Sequence, residues 1–167
     1  CKGVRGRAEV LYSDENYTIL CDYAHTPDGI QKILQACRSF CGKRRLCILF
    51  GCAGNRDAKK RPMMTAAAAQ NADFVILTSD NPRREDPEKI IRDALPGFKE
   101  YKTPYVTIPD RFSAIEWAIG HMKKGDLLVL AGKGHEDYQV LDFGTVCFDE
   151  RQIVERIIRE QGIGSAK

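Results

Sequence analysis

Apolar positions in this chain follow two alternating patterns. Short runs of four to six mostly apolar residues, Arg45 to Phe50, Phe74 to Leu77, Tyr105 to Ile108 and Asp126 to Leu130, read as buried strands. Between them, apolar residues recur at helical spacing: Ile30, Ile33, Leu34 and Cys37; Ile90, Ile91, Ala94 and Leu95; Ile115, Ala118, Ile119 and Met122; Ile153, Val154, Ile157 and Ile158. An alanine-rich helix opening at Pro62 fills the remaining interval. Helix starts are marked by Thr26-Pro27 and Asp86-Pro87, by Asp110, and by Asp149 with Gln152 as a capping box. Ala8 to Tyr12 and Tyr17 to Cys21 flank a polar turn and predict a hairpin; Tyr138 to Leu141 and Thr145 to Phe148 predict another around Gly144. This alternation predicts an α/β fold, a three-layer α/β/α Rossmann-like domain. Its sheet has about six strands, mostly parallel, with the first hairpin as an antiparallel edge. The tail from Gly162 to Lys167 is expected to fray.

Three of the strands end in polar loops marked by glycine or proline: Gly51 to Asp57, Thr78 to Arg84 and Ala131 to Glu136. A parallel sheet puts all three on one edge, where such folds bind ligands. That edge would gather Arg56, Asn81, Arg83 and Glu136. Two guanidiniums and a carboxylate complement a zwitterion, and charge-assisted hydrogen bonds of this kind contribute about 1.5–3 kcal/mol each. The competing reading is that these side chains pair with one another as a solvated ion network, around an ordinary Asn-Pro turn. Asp22 either binds a ribose hydroxyl or caps the turn into the helix at Pro27. Arg7 either reaches a phosphate or pairs with Glu9. His25 and His135 are acid–base candidates by residue type, but a lone loop histidine is more often a hydrogen-bonding or stacking group. The patterns G-x-x-x-x-G-K-S/T and G-x-G-x-x-G are both absent, so the chain carries no P-loop and no dinucleotide fingerprint.

Composition narrows the class. The 167 residues, 43% hydrophobic and 29% charged, fit one globular domain over residues 1–167. A net charge of +3 is too small to argue for nucleic acid, and no run approaches the length of a membrane span, so neither is expected as a partner. Seven cysteines, an odd number without C-x-x-C spacing, read as reduced thiols of a cytoplasmic protein rather than as disulfides or a metal site. The chain opens at Cys1 rather than Met, which reads as a piece of something longer.

Taken together, the motifs resemble a family. Gly6-Arg7-Ala8-Glu9, Asp22-Tyr23-Ala24-His25-Thr26-Pro27-Asp28, Gly51 to Arg61, Asp80-Asn81-Pro82-Arg83 and Gly132-Lys133-Gly134-His135-Glu136-Asp137-Tyr138-Gln139 occur in the order of the C-terminal domain of the Mur ligases, from about Gly3 to Gln139. The last two point to the branch that adds a diamino acid to UDP-N-acetylmuramoyl-L-alanyl-D-glutamate, using ATP to form an acyl phosphate that the amine attacks. The resemblance implies that Arg56, Asn81, Arg83, Gly132 and Glu136 contact the diamino acid while Asp80 shapes the loop. It implies that Arg7 approaches nucleotide phosphates, Asp22 binds ribose and His25 lies near the nucleotide. Arg83 in that motif marks meso-diaminopimelate rather than lysine, and a guanidinium suits a distal carboxylate that lysine lacks. Ala53-Gly54-Asn55 departs from the Gly-Gly-Asp run common in the family. The resemblance places the ATPase core, the Mg2+ ligands and the uridine site in central and N-terminal domains outside this chain, so no catalytic residue and no metal ligand is expected here. The isolated chain is expected to be inactive. The alternatives are the matching domain of a lysine-adding or other Mur or folylpolyglutamate ligase, and a stand-alone amino-acid- or nucleotide-binding module.

Overall fold

The computed structural model describes residues 5–163, so Cys1, Gly3 and the tail beyond Ile163 lie outside the described residues. The elements run β1 (Glu9–Ser13), β2 (Thr18–Asp22), α1 (Pro27–Cys41), β3 (Leu46–Cys52), α2 (Lys60–Asn71), β4 (Phe74–Ser79), α3 (Pro87–Ala94), β5 (Tyr105–Thr107), α4 (Arg111–Gly120), β6 (Leu127–Ala131), β7 (Tyr138–Leu141), β8 (Gly144–Cys147) and α5 (Glu150–Glu160). Six strands form one sheet in the order β1-β2-β6-β3-β4-β5. Only β1 runs antiparallel, against β2; the other pairings are parallel. Strands β7 and β8 form a separate hairpin.

Both faces of the sheet are covered. On β3, Leu46, Ile48 and Phe50 point into one core with the apolar stripe of α1, with Met64 and Ala68 of α2 and with Ile90 and Ile91 of α3. Cys47 and Leu49 point the other way, into a core shared with Ile115 and Ile119 of α4 and Val154 and Ile157 of α5. Strand β3 is buried along its whole length, which explains its continuous apolar run. Each fully buried Leu, Ile or Phe contributes about 1.5–3 kcal/mol by leaving water. None of the described helices is long and apolar enough to cross a membrane, and all six described cysteines are free thiols.

Thr26, Asp86 and Asp110 cap their helices as their sequence positions predict. Three details differ. Helix α2 opens at Lys60, two residues before Pro62, because Asp57 accepts from the Lys59 N–H and its carbonyl from the Lys60 N–H. Proline needs no donor anywhere in a first turn, so it does not mark the start uniquely. Asp149 caps α5 through the Arg151 N–H rather than that of Gln152, so the reciprocal capping box does not form. The last strand is Gly144–Cys147, one residue earlier than its apolar pattern suggests, because Leu141 pairs with Gly144 across a two-residue turn.

The sheet's winding positions the site. Successive strands step outward from β3 through β4 to β5, and β6 then returns to insert between β3 and β2. The crevice outside the carboxyl ends of β3, β4 and β6 is therefore the switch point of the fold. A fully buried Arg111 braces it from below. Its guanidinium donates to Ser79 O at the end of β4 (3.1 Å), to Ala131 O at the end of β6 (2.9 Å) and to the buried Glu150 (2.8 Å).

Candidate functional site

At the carboxyl ends of these strands lies a cavity of about 610 Å³. Its wall includes Arg56, Asp80, Asn81, Arg83, Gly132 and Glu136, all six residues expected to form one site, and also His25, Lys60 and Tyr23. The loops after β3 and β4 interlock by backbone. The Gly54 N–H donates to Asn81 O (2.9 Å), and Arg83 Nη1 donates to Gly54 O (2.9 Å). A Cβ on Gly54 would lie 1.9 Å from Pro82 O, so only glycine permits this approach. Asn55 (φ 53°) and Arg83 (φ 55°) are both left-handed, an unfavourable state for residues with a Cβ and one that clusters at ligand sites. The Asn55 side chain accepts from the Arg84 N–H (3.3 Å), a bond an aspartate at that position would also accept.

The floor of the cavity is polar and largely buried. Asn81 Oδ1 accepts from Lys133 Nζ (3.1 Å) and from the Val140 N–H (3.0 Å), and its Nδ2 faces Glu136 Oε2 at 3.4 Å. Asp80 Oδ1 is buried with no hydrogen-bond partner; Lys133 Nζ stands 3.5 Å away. An orphaned buried carboxylate oxygen is costly unless a ligand or water supplies a donor. Gly132 (φ 112°) lies beside it. Arg56 is exposed at the rim, so both guanidiniums and Glu136 are available to one ligand. The basic side chains between β3 and the first turn of α2 differ in their roles. Arg61 reaches the cavity wall but is buried and consumed by Glu85 (2.8 and 2.7 Å) and Asp93 (2.8 Å), whereas Arg56 and Lys60 line the cavity with exposed side chains. The Arg61 hydrogen bonds hold the Glu85 carboxyl well below the usual range, at about 2.

A second hollow of about 410 Å³ adjoins the first and shares Tyr23, His25 and Thr26 with it. Arg7, Asp22 and Lys32 complete its wall, so the three expected nucleotide contacts meet in one place. Of the two readings of Arg7, pairing with Glu9 is not realised, because Glu9 is gripped by Arg151 (3.2 Å through Nε). Asp22 accepts from the Ala8 N–H (2.8 Å) and the Ala24 N–H (2.8 Å), tying the first loop to the end of β2, while Thr26 is the helix cap. His25 Nδ1 lies 2.8 Å from Tyr23 O and so carries the proton, leaving Nε2 outward. The Tyr23 ring sits between those of His25 (4.7 Å) and His135 (5.3 Å). Close packing here requires Gly134, where a Cβ would meet Tyr23 Cβ at 2.7 Å.

Sequence reasoning missed the supports of the site: Lys133, the Arg111–Glu150 pair and the Arg61–Glu85–Asp93 cluster. A lysine between two glycines at a strand end was the available signal for Lys133. Nothing local distinguishes Arg111 from any other first-turn arginine; its partners come from three separate elements.

Comparison with known proteins shows the family of this chain. The family model described as "Mur ligase, glutamate ligase domain" matches residues 6–134. The UDP-N-acetylmuramoyl-L-alanyl-D-glutamate–2,6-diaminopimelate ligase of Geobacillus thermodenitrificans is 44% identical over 158 residues, 95% of this chain and 32% of that protein. The ligase of the same name from Prochlorococcus marinus is 48% identical over 157 residues, 93% of this chain and 31% of that protein. A solved structure of a UDP-N-acetylmuramoyl-L-alanyl-D-glutamate–2,6-diaminopimelate ligase superimposes with a TM-score of 0.86 at 41% identity, covering 96% of this chain and 32% of that one. The chain thus spans about a third of the length of the curated relatives it matches. With most of its length matched by the family model and its fold shared with the solved relative, this chain belongs to the Mur ligase family as a glutamate ligase domain.

Proposed function

We propose that residues 1–167 are the amino-acid-binding domain of a cytoplasmic ligase that joins meso-diaminopimelate to UDP-N-acetylmuramoyl-L-alanyl-D-glutamate at the expense of ATP, in peptidoglycan precursor synthesis. The observation that carries this reading is the single cavity lined by Arg56, Arg83, Asn81 and Glu136, with a buried and unpartnered Asp80 oxygen on its floor. A diamino acid with two carboxylates would use the whole set. Arg83 and the Asn81 amide would hold the distal carboxylate, Arg56 the other, and Glu136 with Asp80 an ammonium. Holding both carboxylates and one ammonium leaves the second amine to be presented to the activated D-glutamate.

The adjoining hollow suits part of a nucleotide: Arg7 and Lys32 for phosphate, Asp22 for a ribose hydroxyl, and the Tyr23 and His25 rings for stacking. ATP supplies the activation of the carboxyl group; this chain's residues bind, orient and exclude water. The Mg2+ that accompanies ATP is assigned to other domains on the family resemblance alone.

The test uses the full-length protein with UDP-N-acetylmuramoyl-L-alanyl-D-glutamate, ATP and Mg2+. ATP-dependent formation of the meso-diaminopimelate adduct, with L-lysine a much poorer substrate, is the expected outcome. Failure to form that adduct, or equal use of lysine, would overturn the reading.

A further inference from the structure

Lys133 is the only fully buried lysine among the described residues. Burial pushes its pKa down, and a charge in such a place persists only if its surroundings hold it. The surroundings are all acceptors. Nζ donates to Tyr138 O (2.8 Å) and Asn81 Oδ1 (3.1 Å), and its remaining proton faces Asp80 Oδ1 (3.5 Å) and Glu136 Oε2 (3.7 Å). The Tyr138 and Phe148 rings flank it at 6.0 and 5.8 Å. From α4 and α5, Arg111 and Glu150 also face it; they pair with each other, and Arg111 adds to the downward push on the lysine.

Two consequences follow from this placement. Lys133 and the Val140 N–H both donate to Asn81 Oδ1, so the Asn81 amide has one orientation and its Nδ2 is turned toward Glu136 at the cavity. The charge count is also set. Asp80 and Glu136 bring two negative charges and Lys133 one positive, so a single ligand ammonium neutralises the floor.

We propose that Lys133 is a positioning residue of the amino-acid site: it locks the Asn81 amide as a donor toward ligand carboxylate, and it limits the Asp80–Glu136 pair to one ligand ammonium. This rests on the reading of the cavity as the amino-acid site. Without the lysine cation, two carboxylates face each other around an uncharged space, a situation that favours protonation of one of them. The ammonium site would then weaken as pH falls, and the Asn81 amide would be free to turn.

The experiment is steady-state kinetics of the full-length protein with Lys133→Met and Lys133→Arg. For Lys133→Met, KM for meso-diaminopimelate should rise about tenfold or more, while KM for ATP stays within about twofold. That KM should also rise as pH is lowered, more steeply than in the parent protein. Lys133→Arg keeps the charge but not the reach, so its KM should rise severalfold with no new pH dependence. A merely structural lysine would move the KM values for both substrates together and leave the pH profile unaltered, and that result would overturn the proposal. If Lys133→Met yields no folded protein, Lys133→Arg decides: an unchanged KM for meso-diaminopimelate overturns the proposal. A parent protein that does not use meso-diaminopimelate would instead refute the functional reading itself.

Discussion

At the residue scale, this domain spends its buried charges on holding loops in place. Glu85 shows this most clearly. It takes both guanidinium nitrogens of the buried Arg61 and also accepts from the Asn55 N–H (3.0 Å), linking α2 to the loop that carries Arg56. Its carboxyl is held down to about 2, chiefly by the Arg61 hydrogen bonds. A depressed carboxylate stabilises the fold fully above its unfolded pKa, about 4.3, and loses that contribution as pH falls through its folded value. Glu85→Gln should therefore destabilise the protein by about 1–2 kcal/mol at pH 7. The difference should shrink between about pH 4 and pH 2, which denaturant unfolding at several pH values would measure. A pH-independent difference would mean that Glu85 acts through packing alone. The carboxylate was not legible in the sequence as a partner of Arg61, because 24 positions separate them and only the fold brings them together.

At the element scale, the strands and helices were readable and their connections were not. The β3 and β4 runs, and the caps at Thr26, Asp86 and Asp110, follow from local chemistry alone, so the three-layer fold was legible. The start of α2 was not, because Asp57, five residues before Pro62, sets it by accepting from the Lys59 and Lys60 N–H groups. The insertion of β6 between β2 and β3 is likewise a tertiary fact, and it creates the crevice. The interlock of the β3 and β4 loops depends on Gly54. Gly54→Ala would drive a methyl into Pro82 O, and the loops would have to separate. Overpacking of this kind costs about 1–3 kcal/mol. Because Arg83 donates to Gly54 O, the same change should raise KM for meso-diaminopimelate in the full-length protein and lower the melting temperature together. A lowered melting temperature with unaltered KM would show that the interlock does not set the position of Arg83.

At the scale of the whole molecule, the chain offers two adjoining hollows at one sheet edge, which the proposed function assigns to a multiply charged amino acid and to part of a nucleotide. That these residues would gather at one cavity was legible because glycine, proline and charge concentrate at the strand ends; the groups that brace it, Lys133 and Arg111, were not legible. Holding substrates is not activating them. With no P-loop in its sequence, the isolated chain should not hydrolyse ATP, and turnover by purified domain that is abolished by mutation within this chain would contradict the division of labour drawn here. The central claim is narrower: the cavity recognises a second carboxylate through Arg83. Its most direct test is the ratio of kcat/KM for meso-diaminopimelate to that for L-lysine in the full-length protein, before and after Arg83→Ala. Losing one partner of a buried charge pair costs about 2–5 kcal/mol, or some tens to thousands fold. The account predicts that loss for meso-diaminopimelate, a much smaller one for lysine, and poor rescue by Arg83→Lys, whose ammonium cannot form the two-pronged contact. Equal losses for the two amino acids would show that Arg83 supports the loop instead of reading the carboxylate.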